Sequence, residues 1–233
     1  MRIFRKDVTV STNQDARLGR PGDVFVAEFQ TAGRGRLDHK WQSPKGTNLT
    51  FSVVLDVGGA APAEVATLPL VVGLSVVDAA KTLLGEVRKV SLKWPNDVFV
   101  EGRKVCGILC ERNGDSVIAG IGVNVNQADF PSEIARRATS LSLEAGHPLD
   151  REEVLSTILA ALATRHAQWV GGGFAALHPD FAAIDFLRGR TISVYQTDTD
   201  PEPLVGLCDG IQADGTLRVG GVSVFAGEAH IVL

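Results

Sequence analysis

Cysteine is scarce in this 233-residue chain, which has only Cys106, Cys110 and Cys208. So low and odd a count excludes a disulfide framework and makes a reducing cytosol the natural home. Histidine is thin as well. His39, His147, His166, His178 and His230 show no paired ligand spacing, and Cys106 and Cys110 have no further partners, so no metal site is expected. The sequence has no Gly-x-Ser-x-Gly elbow, which removes support for a serine hydrolase. It has no excess of positive charge either. The formal net charge of −4 argues against a broad nucleic-acid-binding surface. Residues 1–7 are charged and lack the apolar centre of a signal peptide. The most apolar window, residues 65–77, is shorter than the ~20 residues of a membrane span. It contains Pro69 and Gly73 and is expected to be a core helix. Repeats and low-complexity segments are absent.

What the chain does have is length for a full core, with room for one large domain and a small appendage. It also has a loop in which charge and glycine alternate: Gln30-Thr31-Ala32-Gly33-Arg34-Gly35-Arg36, directly after the apolar run Val24-Phe25-Val26-Ala27. Glycines let successive backbone N–H groups converge on one point, and arginine forks match carboxylate or phosphate oxygens. Two readings stand: an anion-binding loop, or an ordinary solvated turn. The known phosphate loops do not fit. A Walker loop needs Gly-Lys-Ser/Thr opening a helix, and a dinucleotide fingerprint needs a third glycine before a helix. Here the loop runs through Trp41 and a Pro44–Gly46 turn into Leu49-Thr50-Phe51-Ser52-Val53-Val54-Leu55, a strand pattern. The loop therefore joins two strands.

Ahead of it, Val8-Thr9-Val10 is a short β-prone run, and Ser11, Thr12 and Asn13 suit either a helix cap or ligand contact. Residues 70–84, with Pro69 before them and Gly85 after, predict a buried helix. In Lys93-Trp94-Pro95-Asn96-Asp97-Val98-Phe99-Val100-Glu101-Gly102-Arg103-Lys104-Val105-Cys106-Gly107, two β-prone runs flank a Glu101-Gly102 turn. A two-residue loop pairs Val98 with Val105 and Asp97 with Cys106, and puts Lys104 and Asp97 on one face. A lysine among apolar strand residues needs an anion. That anion is either Asp97, as a rim salt bridge, or a ligand. Residues 117–126 form a strand with Gly120 and Gly122, where glycine marks close approach of a ligand or tight sheet packing. Asp150-Arg151-Glu152-Glu153 resembles a capping box and opens an amphipathic helix that Gly171-Gly172-Gly173 ends. A further helical stretch is expected over residues 181–187. From Arg190 onward short strands alternate with turns at Asp200-Pro201, Asp214-Gly215 and Gly220-Gly221, ending on a strand at residues 230–233. A domain boundary is therefore expected near residues 188–190.

In this order, the glycine-arginine loop, the Lys-Trp-Pro-Asn-Asp block and the Gly-Ile-Gly-Val-Asn strand together resemble the biotin protein ligase family over nearly the whole chain. The resemblance implies an α/β (α+β) fold. A class II aminoacyl-tRNA synthetase-like mixed sheet with helices would occupy residues 1–187, and a small SH3-like β-barrel residues 188–233. It implies that biotin and ATP, with Mg²⁺ travelling on the nucleotide, give biotinyl-5′-AMP, from which a lysine of a biotin carboxyl carrier protein (acetyl-CoA carboxylase type) takes the biotinyl group. Carried over by motif, Ser11, Thr12, Gln30, Gly33, Arg34, Trp41, Lys104, Gly107 and Gly120 would contact biotin. Arg36, His39, Lys93, Asp97, Lys104 and Asn124 would contact ATP or the adenylate, with Lys104, Arg36 and Arg34 as the catalytic cations. His39 stands where many members carry another arginine. Residues 138–141 hold no aromatic to stack on adenine, where some members have a tryptophan. The Ser-Thr-Asn motif begins at Ser11, so the form without a DNA-binding domain is expected, in the cytoplasm, with no nucleic-acid or membrane partner. Dimerisation along a sheet edge, common in the family, would make it a homodimer. Two rivals stand beside this reading: a lipoate or octanoate ligase or transferase of the same superfamily, and a non-catalytic small-molecule-binding module.

Overall fold

A computed structural model describes residues 1–36, 40–85, 87–197 and 202–232. The chain opens with β1 (Arg2–Thr9), α1 (Thr12–Asp15), β2 (Asp23–Gln30) and β3 (Leu49–Asp56). Two helices follow, α2 (Pro62–Val65) and α3 (Leu68–Leu84), then β4 (Val90–Lys93), β5 (Asp97–Val100), β6 (Arg103–Asn113) and β7 (Ser116–Val123). These strands make one seven-stranded mixed sheet in the order β1-β2-β3-β7-β6-β5-β4, with β1 parallel to β2 and the other neighbours antiparallel. After α4 (Leu141–Ala145) and α5 (Arg151–Gly172) come β8 (Thr191–Tyr195), β9 (Leu204–Ile211), β10 (Leu217–Val219), β11 (Val222–Val224) and β12 (Glu228–Ile231). These form a five-stranded antiparallel sheet, β11-β10-β9-β8-β12, consistent with an SH3-like unit.

α3 is apolar on most of its surface because most of it is covered, the sheet lying on one side and α5 on the other, while Asp78, Lys81 and Thr82 fall at its less buried C-terminal part. The helical stretch Pro62–Leu84 is 23 residues, long and apolar enough for a membrane span by length and composition. It is longer than the 65–77 window suggested, and its packing makes it a core element. Trp169 of α5 is buried and donates to Thr67 Oγ1 at 3.0 Å. Asp150 caps α5 by accepting from the Glu152 N–H at 2.8 Å. On α3, Gly73 lets the helix settle onto β4, since a Cβ there would overlap the fully buried Leu92. Gly73→Val is therefore expected to cost ~1–3 kcal/mol of overpacking. For a chain of this size a thermal melt should fall by roughly 2–4 °C per kcal/mol; an unchanged melt would refute the close packing.

Several sequence expectations are corrected. β1 begins at Arg2 rather than Val8. Its residues are exposed except Thr9, so it has no apolar alternation, and pairing with β2 and the two-pronged bonds of Arg2 to Asp23 at 2.8 and 2.7 Å hold it. Residues 181–187 are not a helix. After a 3₁₀ turn at His178–Phe181 the chain runs along the edge of β4, with Leu92 N–H donating to Ile184 O at 2.7 Å and Phe186 N–H to Leu92 O at 2.9 Å. Phe181, Ile184 and Leu187 still enter the core, which explains their helix-like spacing. The Asp200-Pro201 turn and Leu233 lie outside the described residues. Bonds from the segments beside β4 reach the small sheet's unit: Trp94 Nε1 donates to Gly215 O at 3.2 Å, and the Ile211 N–H donates to Asp185 at 2.9 Å.

Candidate active site

The centre of the large sheet, where β3, β7 and β6 run side by side, carries glycine in place of side chains. Gly120 lies opposite Ser52 on one neighbour and Leu109 on the other, and Gly122 lies opposite Gly107. Side chains on a strand repeat every second residue, so Gly120 and Gly122 bare the same face. Asn13 fills the space over Gly120, where a Cβ would overlap its amide oxygen, and the Trp41 indole fills the space over Gly122 and Gly107.

Around Gly120 the site is polar, lined by neutral hydrogen-bonding groups, and the Glu111 carboxylate behind Asn13 is paired with Arg34. The Thr12 N–H and hydroxyl both reach Gln30 Oε1, at 2.8 and 3.1 Å. Ser52 Oγ lies 2.7 Å from Thr12 Oγ1 and 2.6 Å from Asn13 Oδ1. Asn13 donates to Glu111 at 2.6 Å and to Leu109 O at 3.3 Å. Ser11 is buried at the N-cap position of α1 but makes no side-chain cap bond, so capping does not occupy its hydroxyl. These are paired donors and acceptors of the kind a neutral heterocycle requires.

The opposite end is charged. From Gly120 to Asn124 along β7 is roughly 13 Å at strand rise. Lys104 Nζ lies 2.7 Å from Asp97 as an ion pair without the alignment of a hydrogen bond. Lys93 faces Asp97 across the β4–β5 hairpin. Arg36 reaches the small sheet's connection, donating to Gly227 O at 3.1 Å. Burial holds both Lys93 and Arg36 below their ordinary pKa values, opposed by the Asp97 and Glu228 carboxylates. Three cations thus surround two carboxylates, and an anion would balance them.

The register that delivers Lys104 differs from the one expected. Phe99 pairs with Lys104, but Val98 pairs with Cys106 and Asp97 with Gly107, so Val105 is a bulge. Lys104 is the residue drawn aside: its N–H donates to Arg137 O at 2.7 Å and its carbonyl accepts from Thr139 N–H at 2.9 Å. Bulging there turns the strand without losing the Lys104–Asp97 contact.

The loop closes over this floor. Trp41 N–H donates to Gly33 O at 3.0 Å, and Arg34 bridges to Lys40. Lys104 Nζ stands 6.0 Å from the Trp41 ring centroid, and Trp41 Nε1 is buried with no hydrogen-bond partner among the described residues. An orphan donor inside a cleft is what a ligand acceptor would satisfy. The two loop arginines part company. Arg36 joins the charged end, whereas Arg34 turns to Glu111 at 3.0 Å and is half exposed. Of the three cations that the resemblance made catalytic, Lys104 and Arg36 therefore share the charged end and Arg34 stands apart from it. His39 lies outside the described residues. Asn124 is buried, and its amide donates to Thr139 O at 3.0 Å, holding residues 137–142 against β7.

Gly33 is needed for space. Its φ is not positive, and a Cβ there would overlap the Trp41 carbonyl and meet Gln30 Nε2 at 3.1 Å. Gly33→Val is expected to weaken binding of the neutral ligand about 10- to 100-fold, the usual cost of overpacking. Unchanged affinity in a calorimetric titration would refute that. Sequence reading missed Ser52 and Glu111, which carry no local signal. It marked both strand glycines but assigned only Gly120 to the ligand, whereas Gly122 bares the same face.

Among the described residues no group of three or more His, Cys, Asp or Glu side chains is placed to hold a metal ion. The chain is 35% identical over 225 residues to the biotin–[acetyl-CoA-carboxylase] ligase of Paracoccus denitrificans, covering 91% of this chain and 92% of that one. It is 34% identical over 234 residues to the Mycobacterium tuberculosis ligase of the same name, covering 96% and 86%. It also matches bifunctional ligase/repressors, of which the aligned part spans 57% in Bacillus spizizenii, 49% in Bacillus subtilis and 65% in Escherichia coli. Its structure is similar to that of Aquifex aeolicus biotin protein ligase in complex with biotin and ATP, with a TM-score of 0.86 and 31% identity over 99% of this chain and 98% of that one. The biotin/lipoate A/B protein ligase family model matches residues 7–127, and with these relatives aligned along most of their length, the chain belongs to the biotin/lipoate A/B protein ligase family.

Proposed function

We propose that this chain is an ATP-dependent biotin–protein ligase. The observation that carries the reading is one glycine-floored face of the large sheet with two ends: a neutral hydrogen-bonding end at Thr12, Gln30, Ser52 and Asn13, and a cationic end at Lys104, Lys93 and Arg36. The ureido ring of biotin is neutral and needs paired bonds, which the first end offers along with Ser11. Its carboxylate and the triphosphate of ATP are anionic and meet at the second. A biotin carboxylate oxygen attacks the α-phosphorus, the new O–P bond forms and the bond to pyrophosphate breaks. A carrier-protein lysine amine then attacks the acyl carbon, forming an amide, releasing AMP and losing its proton to solvent. Joining two anions is mainly a problem of positioning and charge neutralisation. Lys104 would neutralise charge where the carboxylate and α-phosphate meet, Arg36 and Lys93 would flank the phosphates, and Trp41, whose ring lies over Gly107 and Gly122, would cover the bound ligand. Mg²⁺ would arrive on the phosphates and offset their charge, with Asp97 the carboxylate facing that end.

The neutral end favours biotin over lipoate or octanoate, whose tails offer no partners for those groups. A transferase working through an acyl-cysteine is disfavoured: burial holds the Cys106 thiol well above its ordinary pKa and pushes Cys110 up to about 12. A binding module for a neutral ligand has no need of the cationic end. We assign residues 1–187 to the catalytic domain and 188–233 to the small β domain. Free thiols at all three cysteines fit the cytoplasm. β1, exposed at an edge of the large sheet, offers a surface for the homodimer. The partner is a biotin carboxyl carrier domain, with no nucleic acid and no membrane.

The test is the intact mass of an apo carrier domain incubated with this protein, Mg²⁺ATP and biotin, lipoate or octanoate in parallel. A gain on one lysine with biotin alone is expected. A gain with another acid would move the function to the sister activity, and biotin binding with no gain would favour the binding module.

A further inference from the structure

We infer that Glu144 is a positioning residue for the nucleotide, acting through Arg103, Thr139 and the strap formed by residues 137–142. Glu144 sits on α4 with its side chain 3% exposed, outside the groups assigned above. A buried carboxylate is expensive unless it is satisfied. This one accepts two short bonds on a single oxygen, from Arg103 Nη2 at 2.6 Å and from Thr139 Oγ1 at 2.6 Å, with Arg88 at 3.9 Å from the other oxygen. Both donors sit next to the cationic end. Arg103 immediately precedes Lys104, and Thr139 lies in the strap that binds the Lys104 backbone on both sides.

The strap reaches Asn124 as well. Leu141 N–H donates to Asn124 O at 2.9 Å, Ser142 N–H donates to Val125 O at 2.8 Å, and Asn124 Nδ2 donates to Thr139 O. Glu144 thus clamps the outer side of the segment whose inner side fixes Lys104 and Asn124. Its reach is confined to one end of the cleft. Gln30, Thr12 and Ser52 lie at the Gly120 end, roughly 13 Å along β7 from Asn124, and bond among themselves and with Asn13 rather than with the strap. A loosened clamp should therefore disturb the phosphate-bearing substrate and leave the neutral ligand alone. The inference rests on the ligase reading, and the experiment separates the two.

Wild-type protein is first shown to form biotinyl-adenylate from biotin and Mg²⁺ATP; no adenylate would sink the ligase reading itself. Glu144→Gln keeps the shape and removes the charge, and Thr139→Val removes the strap's bond with little change of volume. For each, KM for ATP is expected to rise about tenfold, the worth of one charge-assisted hydrogen bond. The Kd for biotin measured without ATP should stay within about twofold of wild type on the same reasoning. Arg165→Met, which breaks the remote ion pairs of α5 with Asp78 and Asp180, supplies the stability control. It should lower the melt without moving KM for ATP. With adenylate formed by wild type, an unchanged KM for ATP in both variants overturns the inference. So does a parallel loss of biotin affinity, which would mark Glu144 as general scaffolding.

Discussion

Replacing Lys104 with alanine should slow biotinyl-adenylate formation about 10²- to 10³-fold, the scale on which one preorganised charge-stabilising donor acts. On the ligase reading the step brings a carboxylate to a phosphate, and the bulge at Val105 sets Lys104 beside Asp97 at the cationic end where they would meet. Removing it also frees Asp97, 2.7 Å away, to repel both anions instead of offsetting a cation. The fold should scarcely notice. The Lys104 side chain is 35% exposed, and partly exposed ion pairs are worth about 0–1 kcal/mol. Pyrophosphate release in single turnover, read beside a thermal melt, checks both halves. Arg36→Ala should slow the step in the same direction, since its guanidinium is partly buried near Asp97 and Glu228. Normal turnover in both variants would remove the cationic end from the mechanism.

The sequence made the positions of chemistry easier to read than their connections. The glycine-arginine loop between two strands, the hairpin at Glu101-Gly102 and the period-two glycines of β7 are local patterns, and local patterns survive folding. The bulge does not announce itself, because one inserted residue defeats any count by twos, and its cause lies in residues 137–139, far along the chain. Glu111 and Glu144 look in sequence like solvated charges. They became buried or half-buried acceptors through Asn13, Arg34, Thr139 and Arg103, contacts that cross the chain. Gly33 is a different lesson. Its sequence rationale was backbone freedom, and its structural one is lack of room beside Trp41. Arg34 and Arg36 look equivalent two residues apart, yet one holds the loop to Glu111 and the other reaches the small sheet.

Gly120→Ala should abolish usable biotin binding, weakening it by about 100-fold or more, because the added methyl cannot be absorbed locally. It would overlap the Asn13 amide, and Asn13 has nowhere to retreat: Ser52, Leu109 O and Glu111 all hold that amide. Moving it drags two sides of the site at once. Through Ser52 it disturbs Thr12 and the Gln30 pair, and through Glu111 it releases Arg34 and the loop. Some loss of stability is expected too, so affinity alone would not separate a local wedge from a damaged sheet. The double variant Asn13→Ala, Gly120→Ala does separate them. It removes the group that the methyl strikes, and biotin affinity should recover beyond that of Gly120→Ala alone, a non-additivity expected only of residues in contact. Wild-type affinity in Gly120→Ala would show that biotin lies elsewhere. A double variant no better than Gly120→Ala, beside an Asn13→Ala single variant that keeps its biotin affinity, would show that the methyl harms the sheet itself and that Asn13 does not transmit the effect.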